Sequence, residues 1–228
     1  TYRSKLVDAA AESDDALIEK VLDGKTLTDE EIIAGIRTCV LTYKFIPVGC
    51  CSLATKVGLQ LLMNEIIDSL PSPAYRGEYT GKDPDTGAEV VRHPKADEPF
   101  AGFVFKTYTD QYAGRISLVR VRSGVLAKDA EILNPRTGTK FRAAHLYSMD
   151  GKKQIEINEG RTGDIIALFK LEGVMCGDTL CDKDKKYIAP AMVLPSPVYF
   201  LAIHAKQKKD EEKLNSMLLK AAEDDPTF

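Results

Sequence analysis

The chain has 228 residues, 44% of them hydrophobic and 29% charged, with a net charge of −3. That balance suits a globular protein of one large or two smaller domains, and it argues against non-specific nucleic-acid binding through bulk charge. No run approaches eighteen consecutive apolar residues, so neither a transmembrane helix nor a membrane partner is expected.

The N-terminal TYRSKLVDAA lacks the apolar centre of a signal peptide and opens mid-pattern, as if cut from a longer chain. Leu6, Ala10, Leu17, Ile18, Val21 and Leu22 predict helix over 3–23, with Gly24 as its stop. Thr28 and Glu31 have capping-box spacing, and Leu27 and Ile32 stand at staple positions, which predicts a helix over 29–38. Phe45, Ile46 and Val48 read as a short buried strand, weakened by Pro47, which has no N–H to donate. After the loop GCCSLATKVG, Leu59, Leu62, Met63, Ile66, Ile67 and Leu70 recur at helical spacing until Pro71 and Pro73.

Residues 71–95 are rich in Pro, Gly and charge and read as a linker with a small hairpin at DPDTG. From 96 to 190 the pattern changes to short β-rich runs: FAGFVFKTY, GRISLVRVRSG, AEILN, KFRAAHLYSM, KQIEI, DIIALFKL and GDTLC. Turn residues separate them and no helix intervenes, so one small β-barrel is expected. In 191–228, VYFLAIHA reads as a strand, and Leu214, Met217, Leu218 and Ala221 mark a helix. A lone strand and helix bury too little surface to be a stable domain, so this part is expected to be a domain cut short.

Five cysteines, an odd number, with no secretory signal fit a reducing, cytoplasmic setting. The adjacent Cys50 and Cys51 are poorly spaced for a shared metal, so no metal site is expected and the cysteines are read as small buried hydrophobes. No Gly-Lys pair completes a phosphate loop, G-x-G-x-x-G is absent, and no nucleophile constellation is visible, so no catalytic residue is assigned. The basic residues of the barrel region, Arg115, Arg120, Arg122, Arg136, Lys140 and Arg142, could contact RNA phosphates or simply pair with local carboxylates.

Taken in order, FIPVGCCSLATKVGLQLLMNEIIDSLPSP, EVVRHPKADEPFAGFVFK, TDQYAGRISLVRVRSG, GDTLCD and KLNSMLLKAAEDDPTF resemble elongation factor G along essentially the whole chain. The resemblance implies a multi-domain α and β architecture. Residues 1–70 would be the C-terminal part of the GTP-binding domain with helices of its inserted subdomain. Residues 71–95 would be a linker, 96–190 the domain two β-barrel, and 191–228 the truncated start of a ferredoxin-like α+β domain three. It further implies a parent that uses GTP and Mg2+, hydrolyses GTP on the ribosome and drives tRNA–mRNA translocation in the cytoplasm. The barrel would meet small-subunit ribosomal RNA through Arg115, Arg120, Arg122, Lys140 and Arg142, with no DNA or membrane partner.

On the same resemblance, Ser52, Leu53 and Ala54 fall on the family's guanine-recognition loop, where backbone N–H groups bond the base. Ser52 is retained, but Leu53 stands where Ala is usual and Ala54 where a larger side chain is usual. Lys56 and Gly58 occupy positions where the family favours a polar residue and a glycine. With the phosphate loop and the N-K-x-D motif absent, this chain alone is expected neither to bind nor to hydrolyse GTP. The alternatives are a non-enzymatic ribosome-binding module and a parent acting in ribosome recycling or protection.

Overall fold

The computed structural model describes residues 2–110, 114–151, 153–225 and 227–228, with the backbone alone for Arg76. Residues 111–113 of the TDQYAG segment, Lys152 of the third Gly-Lys pair and Pro226 lie outside the described residues. The chain forms two compact units, Thr1–Ser72 and Pro73–Phe228. Among the described residues no helix is long and apolar enough to cross a membrane.

The first unit holds four helices: α1 (Tyr2–Ala11), α2 (Asp15–Leu22), α3 (Asp29–Leu41) and α4 (Leu59–Ser69). The helix expected over 3–23 is broken in two, because Asp14 adopts an extended conformation and caps α2 by accepting from the Ala16 N–H at 3.0 Å. Both arms of the capping box form at α3: the Thr28 N–H donates to Glu31 at 2.8 Å and the Glu31 N–H donates to Thr28 Oγ1 at 3.3 Å. The helix then continues to Leu41, past the expected end at 38. Leu27 and Ile32 join Ala10 and Ala11 in a small core. At Gly35 an added Cβ would stand 2.5 Å from the Ala10 carbonyl oxygen, so α1 and α3 pack at a distance only glycine permits.

The strand expected at Phe45, Ile46 and Val48 does not form; the segment is unpaired coil, with Ile46 82% exposed. The described part of this unit contains no strand to pair it, and Pro47 removes one donor.

In the second unit, residues expected as linker carry an ordered hairpin, β1 (Tyr79–Lys82) and β2 (Glu89–Arg92), which turns through DPDTG. The hairpin is fastened to the rest of the unit by backbone hydrogen bonds between Lys82 and Ile188 and by the buried Tyr187, whose hydroxyl donates to the Thr80 carbonyl at 3.2 Å. The β-rich region folds into β3 (Ala101–Asp110), β4 (Gly114–Ser123), β5 (Val125–Ala127), β6 (Glu131–Asn134), β7 (Thr139–Arg142), β8 (Leu146–Asp150), β9 (Lys153–Ile157), β10 (Glu159–Arg161), β11 (Ile165–Phe169) and β12 (Thr179–Cys181). Eight strands form one antiparallel sheet in the order β7-β6-β12-β3-β4-β11-β8-β9, while β5 pairs with β10.

The run KFRAAHLYSM, read as one stretch, is therefore two strands at distant places in the sheet. The link between them is held where Ala143 exchanges backbone hydrogen bonds with Asp129 and Ala130. Val104, Val119, Leu126, Ile132, Leu146, Ile166 and Leu180 share one buried core, so strands far apart in the sheet order curl round a common interior as a barrel. Burying each such side chain stabilises by about 1.5–3 kcal/mol, whereas an exposed ion pair contributes about 0–1 kcal/mol. The core, not the surface charge, holds the barrel.

The strand expected at VYFLAIHA is also absent: residues 198–201 are exposed, unpaired chain. Their β-branched and aromatic side chains suit a sheet, but none of the described strands pairs with them. The helix expected after this segment is present as α5 (Glu211–Asp224) and packs on β3.

Candidate nucleic-acid interface

Strand β4 carries three arginines in GRISLVRVRS. Side chains alternate between faces along a strand, so Arg120 and Arg122 share one face while Arg115 shares the other with the core residues Val119 and Val121. Arg122 lies over the Phe103 ring at 4.1 Å and the Tyr79 ring at 5.3 Å, a stacked position against the hairpin. Arg120, half-buried, sits in register with Phe103 on β3 and Ile165 on β11. Arg115 is engaged by Glu223 of α5, and its side chain is only 18% exposed.

On β7, Lys140 and Arg142 point outward on either side of Phe141, which packs against the core. Arg142 donates to Asp129 at 3.0 Å. Arg136 belongs to neither group: its guanidinium forks onto the buried Asp178 at 2.5 and 2.8 Å, which pins a loop. The basic residues picked out from sequence therefore do not form one patch. Arg120 and Arg122 lie on the outer face of the barrel, Arg115 meets α5, and Lys140 and Arg142 border a groove at the β7–β8 link.

That groove, about 680 Å³, is lined by Lys140, Arg142, His145, Tyr147, Phe169 and Lys170 among others. The register Ala167↔Tyr147 places Tyr147 and Phe169 on one face of adjacent strands. Their rings meet edge-to-face at 4.6 Å, and His145 stacks on Tyr147 at 6.3 Å. Glu156 accepts from Lys128 at 2.7 Å and contacts the His145 ring at 3.0 Å. The Lys128 ammonium, then the His145 ring, hold the Glu156 carboxyl below its ordinary range. Cations beside aromatic rings are a pairing that single-stranded nucleic acid uses, with phosphates meeting the cations and bases stacking on rings.

His145, Tyr147, Phe169 and Lys170 were not singled out from sequence. Their common signal, positions on or directly beside two aromatic-bearing strands, becomes visible only once β8 and β11 are known to be neighbours.

The loop at 49–58 is a tight turn. The Ser52 N–H donates to the Val57 carbonyl at 2.9 Å, and Ser52 Oγ accepts from the Thr55 N–H at 3.3 Å. Gly58 precedes α4 in the left-handed region at φ +75°, where a Cβ would sit 2.8 Å from the Cys50 carbonyl oxygen. Leu53 is 74% exposed. The expectation that the cysteines are buried holds for Cys39 and Cys181 and fails for Cys50 and Cys51, which are exposed. The turn closes through backbone bonds and leaves its side chains outside, so two apolar thiols face solvent. Burial raises the thiol pKa of Cys39, Cys176 and Cys181.

As a nucleotide site the loop is partial: the Ser52 N–H and the hydroxyl oxygen's acceptance from Thr55 are spent within the turn, and the sequence contains no glycine-rich loop for a triphosphate and its Mg2+.

A family model described as Elongation factor G domain 2 matches residues 99–183, and one described as Elongation Factor G, domain III matches residues 194–228. A crystal structure of a protein from Thermus thermophilus is similar over 99% of this chain and 32% of that chain, at 28% identity and a TM-score of 0.74. The chain thus spans about a third of that protein's length.

Proposed function

The chain belongs to the elongation factor G family, matching its domain 2 and its domain III, and on that premise we propose that it is part of a ribosome-binding translational GTPase that drives tRNA–mRNA translocation. Its own share of that work is docking. The barrel meets small-subunit ribosomal RNA, and GTP with Mg2+ is held by residues this sequence does not contain. The observation that carries the reading is the coincidence of a family barrel with a groove in which Lys140 and Lys170 flank the Tyr147 and Phe169 rings.

Co-sedimentation of the chain with small ribosomal subunits tests the docking half. Retention should fall linearly in log[salt], and Lys140→Ala with Lys170→Ala should flatten the slope by about 0.7–0.9 per lost phosphate contact. No retention even at low salt sinks it. Ribosome-stimulated GTP hydrolysis and translocation by the full-length protein test the other half. Leu53, in place of the family's usual Ala, supports a second reading, a divergent paralogue acting in ribosome recycling or protection. Full-length protein that splits ribosomes, or displaces a bound inhibitor, without translocating would favour it.

A further inference from the structure

The end of the barrel under α5 is unusually polar. Thr107 and Ser117 face each other across β3 and β4, Arg115 lies two residues from Ser117 on the same face, and Thr107 and Ser117 are almost completely buried. On the core side of the same strand this face continues as Val119 and Val121. Toward α5 it is built of two hydroxyls and a guanidinium.

The C-terminal turn of α5 covers this polar end. The Glu223 carboxylate pairs with Arg115 Nη1. The Glu223 carbonyl accepts from Thr107 Oγ1 at 3.2 Å and from Arg115 Nη2 at 3.4 Å. The fit is poor in hydrogen-bonding terms. Among the described residues, Arg115 Nε, Ser117 Oγ and Asp224 Oδ1 are buried without a partner. Buried polar atoms are rarely left unpaired; Arg115 Nε and Ser117 Oγ are donors that call for a further acceptor, whereas Asp224 Oδ1 is an acceptor that gains water only when α5 lifts away. Glu223, Asp224 and Asp225 also crowd the negative end of the helix dipole, where carboxylates are disfavoured unless a cation answers them. Arg115 is that cation.

We propose that Arg115, Thr107 and Ser117 form an anion site for a phosphate group, that the Glu223 carboxylate occupies it as an internal stand-in, and that phosphate binding and docking of α5 are mutually exclusive. The guanidinium fork and two hydroxyls match a phosphate's oxygens, and the unpaired Arg115 Nε and Ser117 Oγ are donors that a phosphate would satisfy and a single carboxylate does not. Lys170, whose backbone N–H donates to the Arg115 carbonyl at 2.9 Å, links the site to the basic groove. That the phosphate belongs to RNA rests on the docking function proposed above; the site itself does not.

Hydrogen exchange of α5 in the 228-residue chain, titrated with a short single-stranded RNA and separately with inorganic tripolyphosphate, tests the coupling. Either anion should speed exchange in 211–225. Glu223→Gln should release the helix without ligand and tighten anion binding by about fivefold, the low end of ordinary coupling between sites. Arg115→Gln should release the helix and abolish the anion response. Ser117→Ala should leave α5 protected, since its hydroxyl has no partner there, yet weaken anion binding. Should Arg115→Gln unfold the barrel, Glu223→Gln still decides, because its side chain is half-exposed. Anion binding that leaves α5 exchange unchanged, a Glu223→Gln affinity equal to wild type, or no binding of either anion overturns the proposal. Tripolyphosphate obeying the scheme while RNA fails to bind would keep the anion site and overturn the RNA reading.

Discussion

Replacing Asp178 tests whether the loop beside the barrel is held by one buried carboxylate. Asp178 is almost fully buried and accepts four hydrogen bonds: from Asn134 Nδ2 at 2.8 Å, Arg136 Nε at 2.5 Å, Arg136 Nη2 at 2.8 Å and the Met175 N–H at 2.9 Å. Asp178→Ala leaves the fully buried Asn134 amide without its acceptor, at about 1–3 kcal/mol. Removing one partner of a fully buried ion pair costs about 3–5 kcal/mol. The Arg136 side chain is 48% exposed and can rehydrate, so the charge component is discounted.

The expected total is about 2–4 kcal/mol, and Asp178→Asn, which keeps an acceptor and the shape, should lie between that and wild type. Urea unfolding followed by tyrosine near-ultraviolet circular dichroism reads the barrel. With a slope of about 1–3 kcal/mol per molar urea, the Asp178→Ala midpoint should fall by about 0.7–4 M. A shift corresponding to less than about 0.5 kcal/mol would mean that the four contacts contribute no more than a typical surface position, and the reasoning fails.

Three further outcomes are expected. Gly81→Ala places a Cβ 2.3 Å from Tyr187 Cε2 and 2.4 Å from the Ile188 carbonyl oxygen, so the β1–β2 hairpin should lose amide protection while the barrel core keeps it; unchanged hairpin exchange contradicts the packing. A thiol-specific chromophore should label Cys50 and Cys51 quickly and Cys39 and Cys181 only on unfolding, which mass mapping of the modified sites checks. Glu156 titrates below its ordinary range when folded, so its contribution is fully present above the unfolded carboxylate pKa and lost as pH falls through the depressed folded value. Protection factors of the β9 amides, taken relative to intrinsic exchange at each pH, should therefore fall across that acid window, and Glu156→Gln should remove that loss of protection.

Local rules were readable wherever a few neighbouring residues decide the outcome. The Thr28–Glu31 box started α3 as its spacing required, and Gly24, in the left-handed region at φ +73°, ends the helical pair before it. What failed needed a partner. Segments 45–48 and 198–201 both have strand composition, yet a strand exists only where another pairs with it, and none of the described strands pairs with either segment. The cysteines failed for a related reason. Apolar type predicts burial on average, but Cys50 and Cys51 sit in a turn closed by its own backbone, which leaves nothing to cover them.

The basic residues show a rule that was available and had more to say. Arg115 and Arg120 are five residues apart, and an odd separation along a strand puts two side chains on opposite faces; Arg120 and Arg122, two apart, must share one. Apolar type alone leaves the core face open, since Ile116 and Leu118 stand at the other parity; in the fold Val119 and Val121 lie in the barrel core, and Arg115 has the same parity as both. Parity alone thus removes Arg115 from any outer stripe with Arg120 and Arg122, and the core face seen in the fold sends it toward the interior end of the barrel. A guanidinium there needs an anion, because a buried charge without one is costly. In this chain the anion is Glu223, some hundred residues later in sequence, which no local pattern around Arg115 could name. The separation of Arg115 from Arg120 and Arg122 could be derived from GRISLVRVRS, and only the fold supplies the demand for an anion and the group that answers it.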